Sequence, residues 1–164
     1  MTEDGEAIRA HVAEVRARLY PTIQVDRFPD AKRLIDRFEW IVSNWEAGRT
    51  DGRVIIEVVN EIAVAKQLLK RPLTGHFTMV YEPRTTLSGR SVDFLLRYGA
   101  ARQYFDVKTI RPLDPRDVKQ AWEKYGELRL LFPTNADLVL AEQWLGVNSG
   151  TFSPLRVRNF SSMR

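Results

Sequence analysis

Residues 82–112, EPRTTLSGRSVDFLLRYGAARQYFDVKTIRP, decide the fold of this chain. Apolar and other side chains alternate on both sides of Gly99, which predicts two short β-strands joined by a tight turn. Because successive strand side chains point to opposite faces, Asp106 and Lys108 share one face. Pairing of the two strands brings Asp93 near them. Stability alone gives no reason to place three charged groups in such apolar strands, so they indicate a functional site.

The length and composition describe a soluble globular protein. At 164 residues the chain suffices for one domain with an appendage. The chain is 44% hydrophobic and 28% charged, and no apolar run approaches the ~20 residues that cross a bilayer. The acidic start, MTEDGEAIRA, lacks the apolar core of a secretory signal. With no cysteine, disulfides and thiolate metal sites are excluded, and we expect a cytoplasmic protein without membrane partners.

Positive charge is concentrated around the central stretch. The formal net charge is +4. Residues 1–50 carry eight Lys and Arg against nine Asp and Glu, whereas residues 84–129 carry ten against six. This distribution favours a polyanionic partner such as nucleic acid, although a solvated basic surface explains so small a surplus equally well.

Three helices are predicted before the first strand. Apolar residues recur three and four apart over residues 5–20, which Pro21 ends, and again over 30–47, where Asp30 is the expected N-cap. A third helix, over 51–70, is capped by Thr50 or Asp51 and carries so wide an apolar stripe that it should be largely buried. We therefore predict three segments, which are an N-terminal helical extension (1–50), a core (51–146) and an irregular tail (147–164). The first two helices form a hairpin that packs on the chain or on a second copy, as in a homodimer.

The remaining pattern predicts a sheet flanked by helices. Residues 76–81 alternate as a first strand, and Pro115, preceded by Asp114 as N-cap, begins a helix that bends or stops near Gly126. Asp137–Ala141 fits either a fourth strand or a short helix, and we favour the strand. From the third helix onward the order is αβββαβ, an α/β fold.

Several other residues are expected to be structural. Tyr125 and the four tryptophans lie in helical patterns that favour core packing over base stacking. Lys119 and Lys124 are expected to face solvent, with phosphate contact as the minor alternative. His11 and His76 lack metal-ligand spacing and are also expected to be structural.

The charged residues carry a resemblance to a known family. Glu61 on the predicted buried helix, Asp93 in SVDF, and Asp106 and Lys108 in YFDVKT resemble the PD-(D/E)xK nuclease superfamily, whose core is αβββαβ. The resemblance covers roughly residues 51–142. The chain has Ser91 and Val92 where many members have proline directly before the first Asp. The implied fold is a restriction-endonuclease-like core, a mixed sheet flanked by helices, with an N-terminal helical hairpin.

The resemblance implies a metal site and a catalytic set. Two carboxylates on adjacent strands can share a hard divalent cation, for which Mg²⁺ is the best fit and Mn²⁺ the expected substitute. The implied ligands are Asp93, Asp106, the carbonyl of Val107 and Glu61, and Lys108 would polarise the attacking water or stabilise the reacting phosphate. Glu57, one turn before Glu61, is the alternative helical acid, and we prefer Glu61.

The implied activity is that of an Mg²⁺-dependent endonuclease, a hydrolase of phosphodiester bonds with DNA as the favoured nucleic acid. Residues that could contact the nucleic acid are Arg84, Arg90, Arg111 and Gln120. Two other classes remain open, namely a catalytically inactive nucleic-acid-binding module and a dimerising interaction module on the same fold.

Overall fold

The computed structural model describes residues 3–70, 76–83, 92–110, 115–131, 136–142 and 158–159. The chain divides into two compact units, Met1–Arg71 and Pro72–Arg164. Over the described ranges it is a mixed α/β protein, with four helices, the first of which contains a π-helical turn, and a three-stranded antiparallel sheet that two further strands extend and that packs against helices. None of the helices in these ranges is both long and apolar enough to cross a lipid bilayer.

The first unit is helical. Helix α1 (Glu3–Glu14) continues through a π-helical turn (Val15–Leu19) into α2 (Tyr20–Ile23), and α3 (Ala31–Glu46) and α4 (Gly52–Leu69) follow. Our expectation that Pro21 ends the first helix is wrong. Pro21 lies in the first turn of α2, directly after the π-helical turn, and the helical backbone continues through it to Ile23.

The predicted apolar stripes form the core of this unit. Helix α4 is buried along most of its length and contacts α1, the π-helical turn, α2 and α3. It begins where the Asp51 carboxylate accepts a hydrogen bond of 2.9 Å from the backbone N–H of Arg53, so the predicted cap is confirmed. The buried stripe residues of the other helices are Ile8, Val12, Val15, Leu19, Leu34, Phe38 and Ile41.

The second unit begins with an antiparallel meander of β1 (Phe77–Tyr81), β2 (Phe94–Tyr98) and β3 (Ala101–Ile110). Gly99 lies in the two-residue turn between β2 and β3 with φ +51°. Such a left-handed conformation is readily adopted by glycine and suits the twist of a tight hairpin. The predicted hairpin is therefore confirmed.

One helix and two further strands complete the second unit. Helix α5 (Pro115–Leu131) contacts β3 and β4 (Ala136–Glu142), and β4 pairs parallel to β3. The fourth strand that we favoured is thus confirmed. The helix continues past Gly126 to Leu131, so it does not stop there. The short β5 (Arg158–Asn159) pairs antiparallel to β4, and the predicted cap Asp114 lies outside the described residues.

Glu39 on α3 joins this helix to the segment around the π-helical turn. Its carboxylate accepts two hydrogen bonds from Arg16, at 3.0 and 2.6 Å, and one from the Tyr20 hydroxyl at 2.6 Å. The Arg16 hydrogen bond lowers the pKa of Glu39, partial burial opposes this effect, and Tyr20 adds to it. Burial and the hydrogen bond to Glu39 raise the pKa of Tyr20. The carboxylate therefore stays ionised at neutral pH.

The Glu39 cluster should make stability depend on pH. A carboxylate whose folded pKa is lowered contributes stability above its ordinary pKa of 4.5, and this contribution is lost as the pH falls through the folded pKa. We expect Glu39→Gln to destabilise the protein at pH 7 by less than about 1 kcal/mol, since both charged side chains are partly exposed. Urea unfolding of both proteins from pH 7 to pH 3 checks this. A difference that does not shrink below pH 4.5 would contradict it.

Candidate active site

The β2–β3 pair sets Asp93 opposite Asp106. Phe94 of β2 pairs with Phe105 of β3, and one further step of this antiparallel register aligns the two aspartates. Asp93 lies one residue before β2, and its carbonyl accepts a hydrogen bond of 2.8 Å from the N–H of Glu82. Directly opposed residues of an antiparallel pair present their side chains to the same face. Asp93 and Asp106 therefore stand on opposite strands at the end of the β2–β3 ladder, and the convergence of their carboxylates stays a prediction.

The Asp93 side chain is fixed by the neighbouring strand. Its Oδ2 accepts a hydrogen bond of 2.6 Å from the backbone N–H of Val107. This bond continues the link between the two strands beyond the last paired residue of β2. A charged acceptor makes it stronger than an ordinary backbone hydrogen bond. The carboxylate that the sequence assigns to metal binding thus also stabilises the strand pair.

Asp106 is a buried carboxylate on β3, with only 7% of its surface exposed. Lys124 of α5 approaches it, with Nζ 4.0 Å from Asp106 Oδ2. Our expectation that Lys124 faces solvent is therefore wrong. Its side chain is 31% exposed and approaches the acid, because burying a carboxylate is costly unless a positive charge or hydrogen bonds compensate it.

Lys108 lies two residues after Asp106 on β3, and both side chains project from the same face of the sheet. It is half-buried and is opposite Leu140 in the parallel β3–β4 register. Within the ranges that the structure describes, Lys108 forms no ion pair. The Lys108 ammonium group therefore lies on the same face of β3 as the buried acid and has no described carboxylate as an ion-pair partner.

Glu61 lies in the first compact unit, where it contacts α3. It is 7% exposed on α4, and Arg37 Nη1 of α3 lies 2.7 Å from its Oε2. Glu57, one turn earlier, is exposed. The inward acid of this helix is therefore Glu61, and its charge is compensated by a guanidinium group.

Glu82 is a residue that sequence reasoning missed. It follows the last residue of β1, and the same register step that opposes Asp93 to Asp106 sets Glu82 opposite Asp93. Its φ of +45° is the only positive value among the described non-glycine residues. Such strain is concentrated at functional sites. The register of the strands, read with the loop after Tyr81, is the sequence signal that could have identified it.

The remaining candidates are dispersed or lie outside the described residues. Arg84, Arg90 and Arg111 are outside the described ranges. Gln120 is exposed on α5, and Tyr125 is half-buried with its ring edge-on to that of Trp122.

The assignment of all tryptophans to the core is wrong for two of them. Trp40 is 67% exposed and Trp122 is 51% exposed. Trp45 is half-buried, and Trp144 lies outside the described residues. Helical phase explains the exposure of Trp40, because the buried residues of α3 lie on the opposite side of that helix.

The donor set restricts the kind of metal that this site could hold. In the part of the chain that the structure describes, no group of three or more His, Cys, Asp or Glu side chains is arranged to hold a metal ion. Asp93 and Asp106 provide two carboxylates on paired strands. Mg²⁺ commonly binds through one or two carboxylates and keeps several waters, whereas Ca²⁺ takes six to eight oxygen ligands. The residues present therefore fit Mg²⁺.

Asp93 should have a structural role that is separable from its charge. Asp93→Ala removes the acceptor of the Val107 N–H, and we expect it to lower the free energy of unfolding by about 1–3 kcal/mol. Asp93→Asn keeps an acceptor oxygen and should cost less. Urea unfolding, together with hydrogen exchange at the Val107 amide, measures both effects. Equal stability of the wild type and Asp93→Ala would show that the bond contributes nothing.

Comparison of the chain with known protein families, with curated proteins and with solved structures found no match.

Proposed function

We propose that the protein is an Mg²⁺-dependent nuclease with a restriction-endonuclease-like core that hydrolyses phosphodiester bonds of nucleic acid, with DNA as the favoured substrate. The observation that carries this proposal is the opposition of Asp93 and Asp106 on paired strands, with Lys108 on the face of Asp106. The order of α4, β1, β2, β3, α5 and β4, with β4 parallel to β3, supports the same proposal because it follows the αβββαβ order of that core.

Asp93, Asp106 and the carbonyl of Val107 would hold the metal. When bound, Mg²⁺ would lower the pKa of a coordinated water and neutralise charge on the phosphate. The hydrogen bond from the Val107 N–H would orient the Asp93 carboxylate before the metal binds. A ligand that is already oriented loses less conformational freedom on binding.

Lys108 would act on the reacting phosphate or on the attacking water. Its ammonium group has three donors, and at this position on β3 it can orient a water and stabilise negative charge that develops in the transition state. Partial burial strengthens such an interaction because less water screens it. The half-buried position of Lys108 supports this role better than a surface position would.

Glu61 is the helical acid of the proposed set, by resemblance to the family. Arg37 Nη1 lies 2.7 Å from Glu61 Oε2, so a positive charge compensates this buried carboxylate. Glu57 is exposed and is therefore the weaker candidate.

One observation favours a catalytically inactive nucleic-acid-binding module instead. Both buried acids have a cation close by from the chain itself, Lys124 for Asp106 and Arg37 for Glu61. Acids that are compensated in this way need no metal for stability. Under this second candidate the chain would bind nucleic acid and leave it uncut.

Removal of the central acid or amine should abolish cleavage. We expect Asp106→Asn and Lys108→Met to lower Mg²⁺-dependent or Mn²⁺-dependent plasmid cleavage by at least about 100-fold, since each removes stabilisation of the transition state. Lys119→Met is the control, because Lys119 is an exposed lysine of α5 that pairs with Glu123. Thermal unfolding verifies that each variant folds. Wild-type rates in either site variant, or no cleavage by the wild type of any DNA or RNA tested, would contradict the proposal.

The two acids of α4 provide a matched pair of variants. Glu61→Gln should reduce metal-dependent cleavage at least about tenfold if the carboxylate serves the site, whereas Glu57→Gln should be silent. Both substitutions remove one negative charge from the same helix, and only Glu61 is buried. Initial rates measured over a range of Mg²⁺ concentrations provide the comparison. A result in which the two variants behave alike would remove Glu61 from the proposed set.

A further inference from the structure

Helix α5 carries a lysine on its buried side. Lys124 follows the buried Ala121 by three residues and precedes the buried Leu128 by four, so these residues lie along one side of the helix. Helix α5 contacts β3 and β4, and a position on the buried side of such a helix ordinarily carries an apolar residue. Packing alone therefore gives no reason for a lysine at this position.

The contact that Lys124 makes is with a buried acid of β3. Its Nζ lies 4.0 Å from Asp106 Oδ2, and the two side chains are 31% and 10% exposed. Lys119 of the same helix is 79% exposed and pairs with Glu123, one turn further along. Lys124 is thus the lysine of α5 that compensates an interior charge, whereas Lys119 is a surface lysine.

The distance between the two groups makes the pair easy to separate. A hydrogen bond between an ammonium group and a carboxylate is about 2.7–2.9 Å long, whereas Nζ and Oδ2 are 4.0 Å apart. The ammonium group of Lys124 therefore offsets the charge of Asp106 without a direct hydrogen bond to Oδ2. A lysine carries its charge on a flexible stem, and the partial exposure of this side chain gives the ammonium group a route to solvent.

Two cations would compete for Asp106 if the proposed site binds a metal. An ammonium group and a divalent cation repel each other, and the same carboxylate attracts both. The Asp93 carboxylate differs, because the donor that orients it is the neutral N–H of Val107. Lys124 would weaken metal binding if it stayed beside Asp106, and it would leave the carboxylate to the metal if it moved away.

We propose that Lys124 is the counter-ion of Asp106 in the metal-free protein and moves away from this carboxylate when a divalent cation binds. This inference rests on the proposed function, and it assigns to Lys124 the regulation of metal binding at that site. Metal affinity is then set by an exchange of one cation for another at Asp106. Lys108, which has no ion-pair partner among the described residues, takes no part in this exchange.

The affinity for Mn²⁺, measured with the full chain from the EPR signal of free Mn²⁺, tests this exchange. Lys124→Met keeps a long side chain without its charge, and it should lower the apparent Kd at least about fivefold. A unit charge at 4.0 Å contributes that factor even at the dielectric constant of bulk water. Lys124→Arg keeps the charge and should stay within about twofold of the wild type.

Lys119→Met is the matched control, because it removes the same charge from an exposed position of the same helix. Its Kd for Mn²⁺ should stay within about twofold of the wild type, since water and salt screen a surface charge. Equal tightening in Lys119→Met and Lys124→Met would show a general effect of net charge and would overturn the inference.

Urea unfolding provides a second readout that needs no substrate. In EDTA, Lys124→Met should unfold at a lower urea concentration than the wild type, because Asp106 loses a nearby cation. Mn²⁺ at a concentration above both Kd values should raise the urea midpoint of Lys124→Met more than that of the wild type, since tighter binding stabilises the folded state more. The same increase in both proteins would contradict the exchange.

Failure of this inference and failure of the nuclease proposal give different results. Tighter Mn²⁺ binding by Lys124→Met, without cleavage of nucleic acid by the wild type, would support the exchange and overturn the nuclease. Metal-dependent cleavage by the wild type, with unchanged Mn²⁺ affinity in Lys124→Met, would support the nuclease and overturn the exchange. If that variant had also lost cleavage, Lys124 would belong to the reaction itself. Absence of Mn²⁺ binding by both proteins would overturn both proposals.

Discussion

The hydrogen bond from the Val107 N–H to the Asp93 carboxylate is the contact on which the proposed site depends. It links β2 to β3 beyond the last paired residue and fixes the orientation of the Asp93 carboxylate. Any rotation of Asp93 away from this position would sacrifice a charge-assisted hydrogen bond in a half-buried place. The fold and the proposed site are thus stabilised by the same atoms, so variants at Asp93 must be judged on stability as well as on activity.

Burial of acidic groups is the second constraint. Asp106 and Glu61 are each only 7% exposed, and an isolated carboxylate in such surroundings would carry a penalty of several kcal/mol. Lys124 and Arg37 offset part of this penalty from neighbouring helices. Each of the two buried acids thus has a cation of the chain close by. The compensating cations also mean that stability by itself does not require the metal.

The sequence predicted the central features because strand geometry has a period of two. Alternation around Gly99 was sufficient to predict the hairpin and to place Asp106 and Lys108 on one face. It could not predict the orientation of the Asp93 side chain, since a side chain that bonds to backbone beyond a strand end leaves no periodic signal. Glu82 was missed because its position opposite Asp93 and its positive φ depend on strand register and loop geometry, neither of which appears in composition.

Helical residues were predicted less well than strand residues. Side chains of a helix point in many directions around its axis, whereas those of a strand point to two faces. The partial burial of Lys124 depends on how α5 packs against β3. Trp40 is instructive because the predicted apolar stripe of α3, through Leu34, Phe38 and Ile41, already excluded it. Helical phase was therefore a better guide to the position of Trp40 than the general preference of tryptophan for cores.

Binding of Mn²⁺ alone tests the central claim most directly, because it requires neither a substrate nor a known sequence preference. In amide NMR spectra of the whole chain, the account predicts saturable paramagnetic broadening around Asp93 and around Asp106, Val107 and Lys108, and its loss in Asp106→Asn. Broadening that is absent, that does not saturate, or that is centred elsewhere would contradict a metal site between β2 and β3.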